Sequence, residues 1–373
     1  MTAPAHLPSR QPAADASDRG ARRARPQVAG LDRRGLVVGL VLVAGLLVLV
    51  YVGSGGLRWF DAALAGYLMG TLLATFAVAY RYVVWIDRPP TRRLRMRGWE
   101  AFWGGGRRLR SLLRLPDVLW GQLVGQGFIR RRSFSRWVAH QCLFWGCALA
   151  ALVTFPLTFG WLHFESVGQD AGRYRAYVVG IGTFQFASRS VVGWFAFHAL
   201  DVAAVLVLTG VVIFLVRRLR DPGAMAVERG NDFLALAGLF AVSVTGLMLT
   251  ASSLWLDGRF YTFVTTVHAA TVILGLLYIP FGKLFHIFQR PGTVGVAYAR
   301  AAWDHQDAAR CRECGAPFAA ATQVADLRRV LPEVGFDYDV PDDQGGGSYQ
   351  ETCPACRRRL VALAQSARVR GFG

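Results

Sequence analysis

Apolar stretches of about 20 residues alternate along the chain with short polar stretches dense in arginine. Six such runs, at roughly 35–53, 61–80, 138–160, 191–216, 233–255 and 262–287, are each long enough as a helix to cross a hydrocarbon layer about 30 Å thick. The predicted fold is therefore an all-α membrane protein, a six-helix transmembrane bundle over 35–290. Ahead of it, 1–34 is rich in Pro, Ala and Arg with no apolar core, and reads as a disordered basic tail. Behind it, 291–373 turns polar and forms a small separate domain.

The stretches between the runs carry weaker patterns. Over 88–136, Trp99, Trp103 and Trp120 are interleaved with arginines and with the segment LRSLLRLPDVLWGQLVGQGFIRRR, which predicts helices lying in the interface with the apolar face toward lipid. The 161–190 loop alternates enough in RYRAYVVGIGTFQFAS to predict a short hairpin.

Charge orients the bundle. Seven arginines precede the first run, 13 lie from Arg88 to Arg136 and four from Arg217 to Arg229, whereas the three alternate loops hold five. By the positive-inside rule both termini are expected in the cytoplasm of a multi-pass protein. The net charge of +18 sits beside the apolar runs, where orientation and anionic lipid account for it, so nucleic acid is not an expected partner. Lys283 is the single lysine among many arginines, a bias that suggests a GC-rich bacterial genome and hence the plasma membrane.

Of seven histidines, four fall inside the runs: His140, His198, His268 and His286. Ionisable groups at membrane depth are costly and mark function by default. His140 enters four residues past Arg136 and His286 leaves four before Arg290, so they are expected at one level near the inner face. His198 and His268 fall near the outer face. If 268–286 is one helix, its two histidines are about five turns and 27 Å apart on one side. Two imidazole pairs at two heights predict two six-coordinate b-type haems stacked across the membrane. His163, at the end of the third run, is the alternative to His198.

Other polar residues near these pairs are candidates too. Arg81, Arg136 and Arg189 either reach phosphates or pair with haem propionates. Asp201, three residues after His198, and Lys283, three before His286, are the candidate catalytic residues. The carboxylate could accept a proton from a quinol, and the lysine either pairs a propionate or snorkels. Cys142 and Cys147 read as packing residues.

Cys311 with Cys314 and Cys353 with Cys356 form two C-x-x-C knuckles separated by 38 residues. Four thiolates so presented suit tetrahedral zinc, with a single iron or an iron–sulfur cluster as the alternative. Between them, TQVADLRRVLPEVGF predicts a short amphipathic helix ending near Pro332.

The segment HAATVILGLLYIPFGKLFH, with its P-x-x-K-x-x-H ending, and RWVAHQCLFWG together resemble the membrane cytochrome b subunits related to the respiratory nitrate reductase gamma subunit. Within that group the resemblance is to the membrane subunits of sulfite-reduction complexes and membrane-bound heterodisulfide reductase, and it covers roughly 130–290. It implies a dihaem subunit that oxidises a quinol such as menaquinol and passes electrons to a cytoplasmic iron–sulfur or molybdenum-type reductase subunit. In that family one helix supplies two ligands ten residues apart; here the tenth position after His140 is Ala150, which leaves the outer ligand to His198. The C-terminal four-cysteine domain is not part of the family pattern.

The expectation is thus an electron-transfer subunit without its own terminal catalytic site, since the chain lacks a ferredoxin-type cysteine run and a dinucleotide glycine loop. Two other classes stay open. A transition-metal transporter or channel would use the same buried His and Asp along a water path, and a membrane scaffold would use a zinc-ribbon docking domain.

Overall fold

The computed structural model describes residues 31–104, 108–168, 172–220, 230–336, 338–340 and 347–370. The tail expected over 1–34 therefore lies almost wholly outside the described residues. The protein is mostly helical, and among the described residues six helices are long and apolar enough to cross a membrane. In chain order these are α1 (Arg33–Gly53), α2 (Ala65–Asp87), α6 (Phe134–Thr158), α7 (Val191–Arg220), α8 (Gly230–Trp255) and α9 (Tyr261–Tyr278). Between α2 and α6 come α3 (Pro89–Trp103), α4 (Arg108–Leu119), a π-helical turn (Trp120–Val124) and α5 (Gly127–Arg130).

Neighbours in space run α1, α2, α9, α8, α7, α6, so the last two spanning helices close onto the first hairpin. The α6–α7 pair is the tightest, for a reason visible in residue size. A Cβ on Gly146 would fall 2.8 Å from the Ala203 carbonyl oxygen, and one on Gly210 2.7 Å from that of Ala139. Small residues let the two backbones approach where lipid supplies no hydrophobic drive for association. Outward-facing positions are apolar instead: Val41, Leu152, Val205 and Trp255 are all exposed, as a lipid-facing surface requires.

The 161–190 stretch holds more structure than a hairpin. Strands β1 (Leu162–Ser166), β2 (Arg173–Val178) and β3 (Ile181–Ala187) form an antiparallel meander in the order β1-β2-β3. The β2–β3 turn is the two-residue Val179-Gly180, with φ of 51° and 76°, the signs of a type I′ turn.

The sixth apolar run corrects the expected pattern. The helix stops at Tyr278, well before His286, and a 3₁₀ turn (Lys283–Phe285) and a short α10 (His286–Gln289) follow. Pro280 cannot donate to the ladder, so the chain turns on Phe281 and Gly282, whose N–H groups both bond the Tyr278 carbonyl at 3.0 and 2.8 Å. Gly282 lets the chain pass the Tyr278 ring, since a Cβ would lie 2.1 Å from that ring and force it to move. The rings of His268 and His286 consequently do not share the face of one straight helix.

Two compact units emerge. One comprises 33–87 and 97–298, the other 299–373 together with 88–96. In the first, α3 and α11 (Gly292–Trp303) meet at Gly98 and Gly295, and the buried Tyr298 hydroxyl donates to the Ser111 carbonyl of α4 at 2.8 Å. The second contains β4 (Ala308–Arg310), β5 (Pro317–Ala320), α12 (Ala321–Glu333), β6 (Asp339–Val340), β7 (Gly347–Ser348) and α13 (Pro354–Arg370). Helix α12 runs to Glu333 with Pro332 in its last turn, close to the predicted end.

Candidate functional site

His140 and His286 come together at one end of the bundle. Helix α6 starts at Ser133, whose side chain caps the Arg136 N–H, and this sets His140 about two turns inside. Trp137 and Gln141 flank it and donate to the Gly125 and Val124 carbonyls at 2.8 and 2.9 Å, tying the π turn to α6. The break after Tyr278 brings His286 in from the other side. Its ring centre lies 6.4 Å from that of His140, with the planes at 74°.

Several contacts hold this arrangement. His286 Nδ1 lies 2.6 Å from the Lys283 carbonyl, so it carries the proton and Nε2 keeps its lone pair. His140 Nδ1 is buried without a hydrogen-bond partner. Arg81 donates to the Pro280 carbonyl and lies 4.3 Å over the Phe285 ring, which braces the turn from α2. Arg290 rests 4.8 Å over Phe128, close enough for its charge to act on both imidazoles. In the sequence Arg290 is only a boundary mark; its role depends on the turn that folds it back. Lys283 meets His286 through its backbone oxygen.

The other histidine pair is arranged differently. On α7, His198 stacks on Trp194 at 5.1 Å and 5°, with Nδ1 3.0 Å from the Trp194 carbonyl. One turn on, Asp201 accepts from Thr250 of α8 at 2.7 Å. A cavity of about 590 Å³ opens beside them, lined by His198, Asp201, Leu247, Met248, Thr250 and Trp255 among others. His268 contacts α8 on another face, with Nδ1 2.9 Å from Thr245 Oγ1. Thr245 gives its own proton to the Ala241 carbonyl at 2.7 Å, so its oxygen accepts from His268 Nδ1 and the Nε2 lone pair stays free. Around α8, Thr245 is about 100° from Val244, about 160° from Leu247 and about 120° from Ala251 but only about 60° from Met248, so His268 meets α8 to one side of the residues that line the His198 cleft.

The remaining candidates are scattered. His163 lies in β1, not on a spanning helix, sandwiched between Trp59 at 4.9 Å and Tyr177 at 5.0 Å. Arg136 is exposed in the first turn of α6, and Arg189 is exposed in the turn before α7. Neither Thr245 nor Thr250 drew attention in the sequence, since a threonine in an apolar run carries no signal until its partner is known.

The four cysteines converge. The sulfurs of Cys311, Cys314, Cys353 and Cys356 all lie within 4.8 Å of one another, and Cys314 and Cys353 are 3.9 Å apart. Gly315, at φ 70°, turns the first knuckle, and the Cys353 N–H donates to Cys311 Sγ at 3.2 Å. That N–H, followed by those of Cys314 and Glu313, outweighs burial and pulls the Cys311 thiol down to about 6. Cys356, held by the Cys353 and Cys314 sulfurs, is pushed up to about 12. No protein-family model, curated protein or solved structure matches this chain.

Proposed function

We propose that this chain is a membrane-anchoring electron-transfer subunit that takes electrons from a quinol and passes them, through a b-type haem, to a cytoplasmic reductase partner. The observation that carries the reading is the His140–His286 pair. Two imidazoles that would hold one iron between them need ring centres about 6 Å apart. The 6.4 Å separation fits, and the Lys283 carbonyl on His286 Nδ1 is the outer-shell bond that ligating histidines make. When bound, the haem supplies one-electron chemistry that no side chain of this protein can provide.

The chain's own residues do the rest. His140 and His286 would hold the group between α6 and the turn after α9, and Arg81 keeps that turn in place. Arg290 brings positive charge to the site, which favours binding of an anionic propionate-bearing ring. The cleft at His198 and Asp201 is mostly apolar with three polar side chains, His198, Asp201 and Thr250, at its wall, the form a lipid-soluble hydroquinone requires. Thr250 occupies one Asp201 oxygen and orients the carboxylate to take a proton from a hydroxyl in the cleft. The second haem expected at His198 and His268 has no comparable ring pairing behind it, so the proposal is confined to the haem at His140 and His286. Both termini are taken as cytoplasmic in a bacterial plasma membrane, from the arginine distribution.

A reduced-minus-oxidised spectrum of the purified, lipid-embedded protein, with haem counted per chain, tests the proposal. One b-type haem is expected, lost in His286→Ala and in His140→Ala and retained in His163→Ala. A well-folded preparation without haem would overturn it.

A further inference from the structure

We infer that the four cysteines bind a single tetrahedral zinc-class ion, and that this ion clamps the 88–96 segment after α2 to the C-terminal unit. Nothing in this depends on the haem. One tetrahedral ion about 2.3 Å from each sulfur sets neighbouring sulfurs about 3.8 Å apart. The Cys314–Cys353 separation is 3.9 Å, and all four sulfurs fall within 4.8 Å. An iron–sulfur cluster spreads its thiolates over several irons and needs a wider nest. Cys314 is open to solvent, an environment that suits a redox-inert ion better than an iron whose thiolates must be kept from oxidants.

The clamp can be followed residue by residue. The first knuckle reaches the second through the Arg312 N–H, which donates to the Glu351 carbonyl at 3.1 Å. Glu351 closes a capping box with Ser348 on the 3₁₀ turn Tyr349–Glu351, just ahead of Cys353. Its carboxylate then accepts from Arg328 of α12 at 2.6 Å. Two residues earlier on α12, Asp326 pairs with Arg93 at 2.7 Å, largely shielded from water, and Glu333 lies 3.7 Å from Arg92. Apart from the sulfurs, the buried side chains of the described C-terminal residues include little that is apolar, with Ala299, Val324 and Val330 the main ones. A core this small depends on the ion to hold knuckles and helix in register.

The test uses the full-length protein in lipid nanodiscs. Metal analysis should return about one zinc per chain, and cobalt exchanged into the site should show a tetrahedral thiolate spectrum. Chelation should make trypsin cut at Arg92–Arg97 and Arg328–Arg329 about tenfold faster, and zinc should reverse this. Cys356→Ser should behave as the chelated protein does. Asp326→Asn should keep the zinc yet expose the 92–97 sites, separating the clamp from the ion. Stoichiometric iron, absence of metal, or cleavage indifferent to chelation would each overturn the inference.

Discussion

A single hydroxyl sets the state of His268. Thr245 spends its proton on the Ala241 carbonyl and so presents His268 with an acceptor, not a donor. Thr245→Val should strand a polar ring nitrogen inside the bundle and cost about 1–3 kcal/mol, read as a lower thermal midpoint of the detergent-solubilised protein. Asp201→Asn should do the opposite kind of damage. Its amide oxygen still accepts from Thr250, so the midpoint should stay put while quinol-dependent reduction slows about a hundredfold. Unchanged turnover would remove Asp201 from the proton path. At this scale the sequence was informative about chemistry, because His, Asp and Cys are rare in apolar surroundings. It was silent about Thr245 and Arg290, whose importance comes only from what folds against them.

Among the elements, the stretch from Tyr278 to His286 matters most. Hydrophobicity alone extends a helix through it, since Ile279, Phe281, Leu284 and Phe285 fit an apolar run as well as any residues could. The backbone decides otherwise: Pro280 withholds a donor and Gly282 slips past the Tyr278 ring. Pro280→Ala combined with Gly282→Ala should favour continued helix, rotate His286 off its partner and abolish most of the haem absorbance while the protein still inserts. Close helix packing makes a second prediction. Gly210→Val drives a branched side chain into the Ala139 carbonyl and Leu143, and should destabilise the α6–α7 pair by about 1–3 kcal/mol in a denaturation assay. The 161–190 sheet was half legible, since alternation reveals β2 and β3, whereas the β-branched Val179 gives no turn signal and β1 is recognisable only from its pairing with β2.

For the molecule as a whole, the proposed topology rests on the arginine asymmetry and on six described helices long and apolar enough to cross a membrane. Cysteines of the C-terminal unit should resist a membrane-impermeant thiol reagent in intact cells and react in inverted vesicles after chelation. Labelling from outside would reverse the assignment of the termini.

Span number, the paired knuckles and the broad lipid-facing surfaces were determined by the sequence itself, because each depends on local spacing: 20 apolar residues, a C-x-x-C repeat, a period of 3.6. Which histidines meet was decided only by the tertiary structure. Rotating a helix by one residue turns a ring through about 100°, and a helix break displaces it by several ångströms, while neither changes the composition of the run. That is why His140 finds His286 at 6.4 Å, while His268 turns to Thr245 and His198 stacks on Trp194.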